Sequence, residues 1–190
     1  SFLLQKTIFI LYNYQLIGSM SCSDYLAVLW HGLSLDFAVV GYLIALPLVL
    51  VLVSYAFRSF PARRVFLIYH ALIAVVLSLV FIGDTGLYPF WGFKLDATIF
   101  QYLDSPQNAF ASVSFLFLCI GILMAVLWAG GLFFLLQRAV GKSWERGRRS
   151  LVGVGVTLAM FPLTFLVIRG GVGRSTTNVG QVYFSQSQFL

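Results

Sequence analysis

The sequence predicts an all-α fold: a polytopic membrane bundle of five transmembrane helices, with a short interfacial helix in the outer loop between the third and fourth. Three observations predict it. Of the 190 residues, 60% are hydrophobic and only 9% charged, with a mean hydropathy of +0.94, whereas a water-soluble domain carries about 25% charged residues. Four segments approach or exceed the roughly 17–25 apolar residues that cross a hydrocarbon core. The charges are also sorted. Long apolar runs end in Arg58, Arg63 and Arg64 and later in Arg138, Lys142, Arg146, Arg148 and Arg149, while the alternate loops carry Asp24, Asp36, Asp84, Asp96 and Asp104. Short basic loops stay cytoplasmic, so the pattern defines an orientation as well as a membrane.

The first predicted span, residues 2–16, is short and interrupted by Gln5 and Lys6. It reads as the outer part of a helix whose start is missing, with the N-terminus cytoplasmic. Spans two and three cover 37–57, with Pro47 as the expected kink site, and 65–82, which holds His70. Span four is the longest, 113–136. Span five, 151–168, has Pro162 near its outer end, and Gly153 and Gly155 permit close helix approach. The order is then in, out, in, out, in, out, with the C-terminus outside.

Between spans three and four, Tyr88, Trp91 and their Phe neighbours resemble an aromatic belt at headgroup level. Leu95, Ile99 and Leu103 recur at one helical face, as in a helix lying in the interface. Ser105 and Pro106 make an N-cap and first helical position leading into span four. Residues 169–190 begin glycine-rich and polar and read as an outward linker. Cys22, in the first outer loop, and Cys119, deep in a span, are expected to be free thiols.

Candidate chemistry is sparse. No metal-ligand spacing, Ser/His/Asp set or phosphate loop can be assembled from this sequence. His31 and His70 are assigned to opposite faces. His70, an ionisable group inside a span, reads as a satisfied structural histidine or as a proton relay; Ser54 and Ser78 are the other modest candidates for a polar path. Asp36, at the head of span two, reads as interfacial or as functional with His31. Arg169, Arg174 and Lys94 read as snorkelling cations or as ligands of a lipid phosphate. The net charge of +6 falls in short loops beside spans, which fits anionic lipid heads rather than nucleic acid.

Three stretches resemble a known family: WHGLSLD at 30–36, LYPFWGFKLD at 87–96, and RGG at 169–171 running on to NVG at 178–180. They look like the membrane domain of bacterial lipoteichoic acid synthase-like proteins, the sulfatase-type phosphoglycerol and phosphoethanolamine transferases, in the versions found in Bacteroidetes. The resemblance runs over nearly the whole chain. It implies five helices anchoring an outward-facing catalytic domain in the bacterial cytoplasmic membrane. In that family a threonine nucleophile and a divalent metal move a headgroup from a phospholipid to an acceptor. None of those residues carries over, because the implied domain lies beyond this chain; Thr176 and Thr177 belong to the linker. The expected partners are therefore phospholipid and that domain, with no cofactor held here. Tyr88, Trp91, Lys94, Asp96, Arg169, Arg174, His31 and Asp36 are the candidates for contact with headgroup or catalytic domain. The rival readings are a self-contained small membrane protein (a transporter or an assembly partner) and the anchor of a sulfatase-type hydrolase.

Overall fold

The computed structural model describes residues 2–17, 20–57, 59–92, 114–140, 151–172 and 176–177, and every regular element among them is helical. The helices are α1 (Phe2–Tyr12), α2 (Tyr14–Ile17), α3 (Cys22–Ala56), α4 (Ala62–Trp91), α5 (Phe115–Val140) and α6 (Leu151–Arg169). Four of them, α3 to α6, are long and apolar enough to cross a membrane. Large apolar side chains stand on their outer surfaces, with Phe115 81% and Trp30 74% exposed. Such surfaces suit lipid as the solvent. Helix α1 is a shorter apolar helix whose 11 described residues rise about 16 Å at 1.5 Å per residue.

Two helices extend well past the predicted spans. Helix α3 starts at Cys22, not near residue 37, because a capping box nucleates it there. The Ser21 hydroxyl accepts the Ser23 N–H at 3.4 Å, and the Asp24 carboxylate accepts the Ser21 N–H at 3.0 Å. Cys22, Asp24, His31 and Asp36 are thus helical rather than loop residues, and Pro47 lies within one continuous helix. Helix α4 runs through Asp84 and on to Trp91, well beyond residue 82. Its buried positions explain why: His70, Ala74, Ser78, Phe81, Thr85 and Tyr88 recur every three or four residues, so one packed face persists to the end. Both cysteines are free.

The chain divides into two compact units. The first contains α1, α5 and α4 from Leu67 onward. Along α4, His70 meets Gln137, Phe81 stacks on Trp128 at 4.8 Å, and Phe90 meets Phe117 at 5.5 Å. Rising numbers pair with falling ones, so α4 and α5 are antiparallel. Helix α1 is antiparallel to α4 as well, since Phe9 packs on Tyr88 and Asn13 reaches Thr85. The five-span layout takes α1 and α4 through the bilayer in the same direction; the contacts set them head to tail.

The second unit contains α3, α6 and the first turn of α4. Gly41 faces Ile168 and Gly153 faces Tyr55, so α3 and α6 are antiparallel, with 41–55 lying against 153–168. A Cβ on Gly41 would stand 2.7 Å from Ile168 Cγ1 and 3.4 Å from the Ile168 nitrogen. Only glycine lets the backbones come this close. The first 19 residues of α3 (22–40) continue about 28 Å past this contact, at 1.5 Å per residue, beyond the end of α6.

Candidate functional site

Two of the stretches that carry the resemblance begin at a helix C-terminus closed by glycine. In the first unit, α4 ends at Trp91, and Gly92 turns left-handed (φ +71°). The Gly92 N–H donates to the Tyr88 carbonyl at 2.8 Å, the single bond of an αL cap. Tyr88 is only 5% exposed and meets Phe9 edge-on at 5.0 Å. Its ring therefore belongs to the packed face of α4, not to a lipid-facing belt, because it continues the repeat of Ser78, Phe81 and Thr85. Trp91 is half-buried, and Phe90 stands on the outer side.

In the second unit, α6 ends at Arg169 in a Schellman motif. The Gly171 N–H donates to the Leu166 carbonyl at 2.9 Å and the Gly170 N–H to that of Val167 at 3.2 Å. Both glycines are left-handed, at φ +89° and +109°. The chain then returns, and the Thr177 N–H donates to the Arg169 carbonyl at 2.7 Å. Arg169 is half-buried at this closed corner.

His31 and Asp36 lie on the part of α3 that continues past α6. His31 is exposed and Asp36 half-buried. Five residues turn a helix by 500°, so the two point about 140° apart and share no face. Lys94, Asp96, Arg174 and the interfacial helix at Leu95, Ile99 and Leu103 lie outside the described residues.

His70 is 6% exposed, with Nδ1 3.2 Å from Gln137 Nε2. The Ser78 and Ser54 hydroxyls each bond at 2.6 Å to a carbonyl of their own helix, Ala74 and Val51. Among the described residues no three His, Cys, Asp or Glu gather as a metal site would require.

Another polar cluster was missed by sequence reasoning. Pro89 has no N–H, so the Thr85 carbonyl four residues earlier lacks its helical donor. Asn13, at the break between α1 and α2 and 2% exposed, supplies one from its side-chain amide at 3.4 Å. The signal was present as a lone Asn in an apolar run and a proline within a helical repeat.

No protein-family model, curated protein or solved structure matches this chain. Among the described residues every regular element is helical, and four helices are long and apolar enough to cross a membrane.

Proposed function

We propose that this chain is the membrane domain of a bacterial phospholipid headgroup transferase, moving phosphoglycerol or phosphoethanolamine at the outer face of the cytoplasmic membrane. Its role is to anchor an extracytoplasmic, metal-dependent catalytic domain and to present lipid to it. One observation carries this reading. The stretches starting at 87 and 169 leave apolar helices at glycine-capped ends, with Trp91 and Arg169 in the last turns. A helix end of that kind sits where hydrocarbon gives way to headgroups: indole rings favour that depth, and a guanidinium donates to phosphate in paired, charge-assisted bonds.

Four crossings satisfy the charge pattern: α3 inward, α4 outward, α5 inward, α6 outward. Arg63 and Arg64 open α4, Arg138 lies in the last turn of α5, and the His70–Gln137 contact joins those ends. All three are cytoplasmic in this topology. Because α1 runs against α4 near Tyr88, it belongs at the outer end of α4. A cytoplasmic N-terminus starting a fifth span is therefore not retained.

Native mass spectrometry of the protein released from nanodiscs containing phosphatidylglycerol and phosphatidylethanolamine tests this reading. The wild type retains lipid, and Arg169→Ala/Arg174→Ala retains about tenfold less, equivalent to about 1.4 kcal/mol. Equal retention removes the headgroup role. In native membranes, headgroup appearing on an acceptor marks transfer, and release of free headgroup marks hydrolysis.

A further inference from the structure

We infer that the first unit encloses a binding site for ordered water between Asn13 and Thr85. The amide of Asn13 makes two bonds, to the Phe9 carbonyl at 3.1 Å and to the Thr85 carbonyl freed by Pro89 at 3.4 Å. That accounts for both amide hydrogens. Asn13 Oδ1 and Thr85 Oγ1 are left over, each buried and bonded by no described residue. Asn13 is 2% and Thr85 6% exposed, so bulk solvent does not reach them. An acceptor and a hydroxyl left in this state carry their full desolvation penalty.

The chemistry of the two atoms defines the ligand. It must donate to an amide oxygen and exchange a hydrogen bond with a hydroxyl, so it is both donor and acceptor. It is small, because the Phe9 and Tyr88 rings, one helical turn away, hold the helices together at 5.0 Å between centroids. It is neutral, because the Asn13 amide hydrogens, which donate to the Phe9 and Thr85 carbonyls, lie beside the site and would repel a cation. Water meets all three conditions, and prolines in membrane helices are tolerated where waters and side chains re-satisfy the freed carbonyl. The site ties the polar break of α1 to the proline step of α4.

Radiolytic hydroxyl labelling of the whole protein in lipid nanodiscs tests the site, since radicals formed from bound water oxidise neighbouring rings. Phe9 and Phe66 share a ring type and are 9% and 6% exposed. Phe9 is expected to be oxidised several-fold faster than Phe66. Thr85→Val removes the hydroxyl at nearly constant shape and lowers Phe9 to the Phe66 rate, whereas Thr85→Ser keeps the fast rate. Equal rates in the wild type overturn the site. So does fast labelling that survives Thr85→Val, because it then comes from opening of α1. If Thr85→Val fails to fold, Asn13→Leu removes the other oxygen and is read in the same way.

Discussion

The two units hold their helices together by different means. In the second, α3 and α6 meet through glycine, with Gly41 against Ile168 and Gly153 against Tyr55. The buried hydroxyls of Thr157 and Thr164 bond back to Gly153 and Met160 on their own helix. In the first, the buried face of α4 carries His70, Ser78 and Thr85, with Gln137 and Asn13 brought to it from α5 and the end of α1. Hydrocarbon supplies no hydrophobic drive between helices, so association relies on close packing or on hydrogen bonds. This chain uses packing in one unit and adds hydrogen bonds in the other. The second unit should therefore respond to volume and the first to polarity.

The largest effect is expected at Gly41. Gly41→Val places two methyl groups on a Cβ already too close to Ile168, so α3 and α6 must separate. Overpacking of this kind costs about 1–3 kcal/mol, and the value here should lie at the upper end. Thr157→Val in the same unit should change stability by less than about 0.5 kcal/mol in reversible unfolding from mixed micelles. A costly Thr157→Val beside a harmless Gly41→Val would break the comparison.

In the first unit the order should reverse. His70→Leu or Gln137→Leu alone removes one side of the 3.2 Å contact and should cost about 1–2 kcal/mol. The double variant removes both, and the cycle should give a coupling of about 0.6 kcal/mol, with about 1.7 as a ceiling. Strict additivity of the two singles would mean that the 3.2 Å contact does not hold α4 to α5.

The four long apolar helices were legible because hydrophobic length is a local signal. Helix α6 covers Leu151–Arg169, where the sequence predicts a span over 151–168. Helix α3 was read short because hydrophobicity alone marks where a helix enters lipid, not where it starts. The Ser21 and Asp24 pair, three residues apart, was the missed start signal. The extension of α4 was hidden by Gly86 and Pro89, which suggest a turn, yet Asn13 replaces the donor that Pro89 lacks. That compensation comes from 72 residues away, so no local reading reveals it. Of the candidate site, the capped ends at Trp91 and Arg169 could be anticipated from their glycines. The inward placement of Tyr88 depends on the phase of a helix read as a loop.

Gly170 sharpens the comparison at a helix end. Its φ of +89° lies where a side chain costs roughly 1–2 kcal/mol, and any Cβ there meets Thr177 Oγ1. Gly170→Ala should open the turn that returns Thr177 to Arg169 while leaving the Gly41 contact intact. Amide exchange at Thr177 should accelerate about tenfold or more, for 1.4 kcal/mol or above. Unchanged exchange would mean that the corner at Arg169 is held by something other than its glycines.

The smallest effect should come from Ser21, and it bears on where α3 lies. Ser21→Ala removes the hydroxyl that accepts the Ser23 N–H, and lost N-caps cost about 0.5–2 kcal/mol, typically near 1. In water, solvent takes over the freed N–H, and the loss stays at the low end of that range. In hydrocarbon no such replacement exists, and an unmet backbone donor costs several kcal/mol. Residues 22–40 continue past the end of α6, so the cap is expected in an aqueous or headgroup setting. Ser21→Ala should therefore fray only the first turn, seen as faster amide exchange over residues 22–25, with global stability lowered by less than about 1 kcal/mol. A global loss larger than that of His70→Leu would place the start of α3 inside the membrane, and the tilt of the helix would have to be redrawn.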